Sequence, residues 1–212
     1  MHKFPDESCH SSGFVLSWDI FLSKGVTPVH QYILETERLI LRPLTVADAA
    51  AEYVWLSDPE VNRFMPYNLY TSVEQAEEWL RHVEQCEDEY HFGFVRKEDG
   101  VLVGAGSIGP KDERPYSMPD GWEFGYNLRR DCWNKGYATE ATRAMIDFAH
   151  RTFGVKDFYA SHAVENPASG RVMEKVGCTF LRFSEYSTFD GTQTFPAKIW
   201  YLHLEDQLDL GL

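Results

Sequence analysis

No two cysteines stand close in this sequence: Cys9, Cys86, Cys132 and Cys178 lie 46 or more positions apart. That spacing excludes a zinc knuckle and a redox dithiol, and it suits reduced thiols in a cytoplasmic setting. No apolar run approaches membrane-spanning length. The stretch Phe14 to Leu22 is short and is interrupted or flanked by Asp6, Glu7 and Asp19, so it does not read as a signal peptide. Positive charge is also scarce, with 20 Lys and Arg against 33 Asp and Glu, a formal charge of -13. Such a surface repels phosphate backbones and anionic lipid, which argues against general nucleic-acid or membrane binding. No GxxxxGK[ST] run is present, so a P-loop nucleotide site is excluded. His91, His162 and His203 lack metal-ligand spacing to one another, and no metal is expected.

What is present suits one packed domain. The 212 residues are 43% hydrophobic, 15% aromatic and 25% charged, enough apolar material for a single core. Residues 1–33 carry no clear period and read as an N-terminal extension that packs on the domain or on a neighbouring copy. Residues 34–212 read as the domain. Arg38 to Leu44 predicts a strand, and Thr45 to Asp48 a capping-box-like start to a helix reaching about Leu56. Thr71-Ser-Val-Glu74 predicts a second helix start, followed by Val73, Ala76, Trp79, Leu80 and Val83 on one helical face. Tyr90 to Arg96, Val101 to Ile108 and Trp122 to Leu128 predict three strands joined by turns at Asp99-Gly100 and Pro119-Asp-Gly121. A helix over Gly136 to Phe153 is expected to bury Ala138, Ala141, Met145, Phe148 and Thr152. A strand over Phe158 to Val164, a short helix after Asn166, and strands over about Thr179 to Glu185 and Thr194 to His203 complete the order. The pattern predicts a mixed α/β sheet, antiparallel in its first half.

Gly104-Ala-Gly106-Ser-Ile-Gly109 matches GxGxxG, but Pro110 and Pro115 leave no helix after it, so it reads as a glycine-rich strand end. A more informative stretch runs from Asn127 to Ala141, where a strand ends in a polar loop and a strong helix begins at a glycine. Free amides and the positive end of the helix dipole would meet an anion there. Arg129, Arg130, Lys135 and Arg143 oppose Asp131 and Glu140, a local net of +2 in an acidic chain. That reversal suggests a phosphate-bearing ligand; a capped helix with solvated charges is the alternative.

Arg129 to Ala149, followed by Asn166-Pro-Ala-Ser-Gly-Arg-Val-Met-Glu-Lys-Val-Gly177, resembles the acetyl-CoA motif and following helix of the GNAT N-acetyltransferase superfamily. Leu34-Glu-Thr-Glu-Arg-Leu-Ile-Leu-Arg-Pro-Leu44, Ser57-Asp-Pro-Glu-Val-Asn-Arg-Phe-Met-Pro66 and Trp133-Asn-Lys-Gly-Tyr-Ala-Thr-Glu-Ala141 resemble its RimJ/RimL-like branch of ribosomal-protein N-terminal acetyltransferases. The likeness covers about residues 34 to 203. It implies a GNAT fold: an α/β domain with a mixed sheet of about seven strands, splayed central strands and flanking helices. It also implies acetyl transfer from acetyl-CoA to a primary amine, such as a protein N-terminus. The pantetheine arm would lie between the splayed strands and the pyrophosphate on the loop before the long helix.

The resemblance places that loop at Trp133, Asn134, Lys135, Gly136, Tyr137 and Ala138, with Arg129 and Arg130 just before it. The family often has Gln or Arg where Trp133 stands, and the branch usually has Gly where Asn134 stands; contacts made by backbone amides tolerate both departures. An amide near Leu128 would stabilise the oxyanion, and Asn166, a helix N-cap in its own right, would also touch pantetheine. Many members place a tyrosine acid where this chain has Met173, so Ser169 is the candidate hydroxyl to protonate the thiolate. Glu123 lies on one strand face with Gly125 and Asn127 and is the candidate base, directly or through water; a structural sheet carboxylate is its alternative. The acceptor could instead be a small amine, an amino sugar or an antibiotic, and a non-catalytic CoA-responsive module is the rival of another class. A second copy of the chain is a candidate partner.

Overall fold

The computed structural model describes residues 32–110 and 120–205. Nearly all of the expected N-terminal extension, Cys9, and the Pro115 part of the glycine-rich segment lie outside the described residues. Strands β1 (Leu34–Glu35) and β2 (Leu39–Pro43) are followed by helices α1 (Ala49–Leu56), α2 (Pro59–Asn62) and α3 (Val73–Gln85). Strands β3 (Tyr90–Arg96), β4 (Leu102–Pro110) and β5 (Trp122–Leu128) lead to helix α4 (Tyr137–Phe153). Strand β6 (Asp157–Ala163), helix α5 (Pro167–Lys175) and strands β7 (Thr179–Ser187) and β8 (Thr194–His203) follow.

All eight strands form one sheet in the order β1-β2-β3-β4-β5-β6-β8-β7. Every neighbouring pair is antiparallel except β5 and β6, so the sheet is the mixed α/β one expected, with a two-residue strand more than the seven predicted. Alternation gives each face a core. Phe92, Phe94, Ile108 and Phe124 pack with Met145 and Phe148 of α4, while Leu102 and Ala105 pack with Trp55 of α1 and Leu80 of α3 on the other face. The glycines of the GxGxxG match belong to this packing: a Cβ at Gly106 would come within 2.6 Å of Phe94 Cζ, and one at Gly104 would overlap Leu128.

The capping box expected at Thr45 to Asp48 is present, with Asp48 accepting the Thr45 amide at 2.9 Å; it opens a 3-10 turn (Val46–Asp48) that runs into α1, which ends at Leu56. Two local expectations need correction. The N-cap of α3 is Ser72 rather than Thr71, and the side chain reaching back is Gln75, which accepts the Thr71 amide at 2.7 Å. Thr152 is exposed, because it falls in the last turn of α4, where the helix has passed the edge of the core.

Candidate active site

Strands β5 and β6 pair only at Trp122 with Phe158 and Glu123 with Tyr159, although each runs for seven residues. Beyond those pairs they diverge, and the sheet forks. On the other side of β5, Leu128 opposes Gly104, and the Arg129 amide bonds to Val103 O at 2.9 Å. In an antiparallel ladder that pattern makes Leu128 a non-hydrogen-bonded pair, whose own N–H and C=O turn away from β4. They therefore face the fork. The Leu128 carbonyl takes the Trp133 indole N–H at 3.0 Å, so Trp133 braces the fork mouth while staying 39% exposed.

The loop from the fork to α4 is set by two left-handed residues, Asn134 (φ 59) and Gly136 (φ 85). Tyr137 and Ala138 are buried, which fixes the first turn of α4 against the core. Arg38 ties the loop to β2: its guanidinium bonds Lys135 O at 2.8 Å and Glu140 at 2.7 Å, and it stacks 4.7 Å from the Tyr137 ring. Burial alone would raise the Glu140 pKa, but hydrogen bonds from Thr36 and Arg38 together hold it below the usual range. Thr36 and Arg38 were not legible as loop supports, because they lie about a hundred positions away.

The charge cluster divides in the fold. Arg129 is engaged with Asp131 at 3.1 Å, and Arg143 donates to the Lys175 carbonyl at the end of α5. Arg130 and Lys135 are exposed beside the α4 N-terminus, as is Arg38, whose charge Glu140 engages. Anion attraction there comes from two side chains, the backbone amides and the helix dipole.

Helix α5 covers the other side of the fork. Asn166 caps it by accepting the Ser169 amide at 3.2 Å, Pro167 takes the first position, and Gly177 (φ 96) follows its end. Ser169 is half-buried and lies against Tyr126, whose oxygen is buried without a hydrogen bond of normal geometry. Burial pushes the Tyr126 phenol up to about 12, with Ser169 pulling it partly back. Strand alternation places Tyr126 opposite the Glu123 face and could have found it. Met173 is buried in the core, as a structural residue of α5.

Glu123, Gly125 and Asn127 share the face of β5 that looks toward α1 and α3, where Asn127 Nδ2 donates to Tyr67 Oη at 3.1 Å. Glu123 is half-buried at the closed end of the fork and engaged by its surroundings. Four residues of strand separate it from Asn127, roughly 13 Å, so a proton would reach it through water. Between them is room: a Cβ at Gly125 would meet nothing within 4 Å. Gly125→Leu is expected to leave acetyl-CoA affinity within about twofold and to lower kcat/KM for amine acceptors at least about tenfold, a loss of roughly 1.4 kcal/mol of transition-state binding. Steady-state kinetics beside circular dichroism check this, and an unchanged kcat/KM would put the acceptor on another surface.

A forked sheet with backbone groups turned into the fork and a glycine-led helix start beside it suit a transferase that handles a phosphate-bearing carrier. Residues 38–179 match the model of the acetyltransferase (GNAT) domain, and the chain belongs to that family. It is an acetyl-CoA-dependent acetyltransferase. The chain is 29% identical over 146 residues to the uncharacterized N-acetyltransferase p20 of Bacillus licheniformis, covering 68% of this chain and 80% of p20. Its fold is similar to that of a GNAT-family acetyltransferase from Bacillus anthracis, with TM-score 0.67, 23% identity and 81% and 98% of the two chains covered. It is also similar to spermidine N-acetyltransferase from Vibrio cholerae in complex with CoA and spermine, with TM-score 0.65, 19% identity and 79% and 96% covered.

Proposed function

We propose that this protein moves the acetyl group of acetyl-CoA onto a primary amine, in the manner of the RimJ/RimL-like branch, with a protein or peptide N-terminus as the acceptor. The observation that carries this reading is the fork beside Leu128, whose free edge faces a half-open groove on β5. Trp133 to Ala138 hold the pyrophosphate through backbone amides, with Arg129 and Arg130 close by. The pantetheine arm runs past Asn166, whose side-chain oxygen is spent on the helix cap but whose amide hydrogens remain donors.

The Leu128 N–H stabilises the oxyanion formed when the amine nitrogen attacks the thioester carbonyl. Glu123 accepts a proton from the amine through water. Collapse breaks the C–S bond, and Ser169 passes its hydroxyl proton to the departing sulfur; the proton released by the nitrogen restores the balance. The sum is amine plus acetyl-CoA giving amide plus CoA thiol. The same geometry accommodates a small amine, as the spermidine enzyme's complex with CoA and spermine illustrates for a structural relative.

Binding of acetyl-CoA is the direct test. At about 100 times the dissociation constant, linkage adds roughly 2.7 kcal/mol, which for a domain of this size raises the melting temperature by about 5 to 11 °C. Calorimetric titration gives the affinity, and release of free CoA with an amine panel separates turnover from a CoA-responsive module. Absence of any shift at millimolar acetyl-CoA would sink the reading.

A further inference from the structure

Helix α1 turns Ala49, Glu52, Trp55 and Leu56 inward at helical spacing, so its buried stripe contains a carboxylate. Glu52 is 3% exposed, and its Oε2 is fully buried with no hydrogen-bond partner. An unmet buried carboxyl oxygen costs stability and returns nothing to the fold. Asp48 one turn earlier spends its charge on Arg42, at 2.6 and 2.8 Å, and gives Glu52 no donor.

Two further buried oxygens in this part of the molecule lack a partner, although Trp55 Nε1 on the same helix is an unmet donor. Asn127 gives Nδ2 to Tyr67, which leaves its Oδ1 buried without a partner. Asn62 gives Nδ2 to Trp55 O at 2.6 Å and Asp58 O at 2.8 Å, and its Oδ1 is likewise unmet. Tyr67, in edge-to-face contact with Tyr70 at 5.8 Å, packs on the α1–α3 core and is the residue that Asn127 reaches, and both phenols feel the Glu52 charge. Unmet oxygens on Glu52 and Asn127, on the side of the sheet where Gly125 leaves open space, are complementary to a ligand that brings N–H donors.

We propose that Glu52 and Asn127 form the subsite for the acceptor nitrogen, Glu52 pairing with a primary ammonium group and Asn127 Oδ1 taking a second of its hydrogens. This assignment rests on the acetyl-transfer reading and adds the residues that select the acceptor. Before the amine arrives, burial, and then the Asp48 charge, push the Glu52 carboxyl up to about 8, so the empty subsite is neutral at pH 7. The groups facing it are Asp48, neutralised by Arg42, and the phenols of Tyr67 and Tyr70, the latter beside Glu78 of α3. An incoming ammonium ion therefore displaces one proton from Glu52 to solvent, and a neutral pair replaces a neutral acid beside a cation; the bound ammonium then loses a proton to solvent before the free amine attacks. Amine affinity rises with pH until Glu52 ionises unaided near 8. The wall also selects: a trimethylated nitrogen brings charge but no N–H for Asn127.

The test uses the full chain loaded with CoA and carrying 13C-labelled glutamate carboxyls. With saturating n-butylamine the Glu52 resonance is expected to titrate at least one pH unit lower than without it, while tetramethylammonium moves it less. In steady-state assays with acetyl-CoA, Glu52→Gln, which keeps the shape and neutrality of the resting carboxyl, is expected to raise KM for n-butylamine at least tenfold, with kcat and acetyl-CoA affinity within threefold. A Glu52 titration unmoved by n-butylamine, or a wild-type KM in Glu52→Gln, overturns the subsite and leaves acetyl transfer standing. Failure of the wild type to bind acetyl-CoA overturns the transfer reading and this assignment with it.

Discussion

Gly136→Val is expected to lower CoA affinity by about 100-fold or more, the equivalent of at least roughly 2.7 kcal/mol, while the protein stays folded but less stable. Gly136 occupies φ 85 at the N-cap of α4, a conformation in which a β-branched residue is strained by at least about 1–2 kcal/mol. Relief of that strain would rotate the Lys135, Gly136 and Tyr137 amides away from a phosphate. The new side chain would also press on the Arg38 guanidinium, because a Cβ there lies 3.2 Å from Nη2. Nine buried residues anchor α4, so the helix survives the loss of its first turn's geometry. Gly154→Val is the control. It ends the same helix at φ 70 with nothing within 4 Å of a Cβ, so it carries similar strain far from the loop. Calorimetric CoA titration and thermal denaturation on both variants should show two destabilised proteins, one of which keeps its affinity; equal CoA binding in both would remove Gly136 from the phosphate loop.

Glu123→Gln is expected to reduce kcat by roughly 10²-fold or more, the usual span for a missing general base, with acetyl-CoA affinity nearly unchanged. The loss should shrink as pH rises. At higher pH more of the free amine is already neutral, and a base is needed less. A carboxylate that only shapes the sheet would give a pH-independent loss or a folding defect. The effect also separates from that of Glu52→Gln, which acts on KM: one carboxyl receives a proton during attack, and the other receives the amine before it. Parallel pH–rate profiles for wild type and Glu123→Gln would refute the base assignment.

Much of the fold was legible because its signals are local. Alternation in Tyr90 to Arg96 and Trp122 to Leu128 reports strands with one more deeply buried face, and the spacing Ala138, Ala141, Met145, Phe148 reports the core face of α4. Asn166, Pro167 and Gly177 mark the ends of α5 through backbone geometry that few other residues satisfy. The capping box at Thr45 was legible for the same reason, whereas the start at Thr71 shifted to Ser72 because neighbouring hydroxyls can both cap and packing chooses between them. The charge cluster misled in part: sequence counts Arg129 and Arg143 as available cations, whereas Asp131 and the Lys175 carbonyl engage them in space.

By itself, then, the sequence determined the order of elements, the glycine-led helix start and the strand face shared by Glu123, Gly125 and Asn127, since each depends on residues within a few positions of one another. The tertiary structure alone decided where β5 and β6 part, which cations stay exposed, that Thr36 and Arg38 brace the loop through Glu140, and that Tyr126 meets Ser169. It also decided that Glu52 of α1 faces inward without a partner for its Oε2 and that Asn127 reaches Tyr67. These arrangements join segments up to 104 positions apart. The free energy that fixes them comes from burying both faces of a sheet at once, and no short window of sequence contains that.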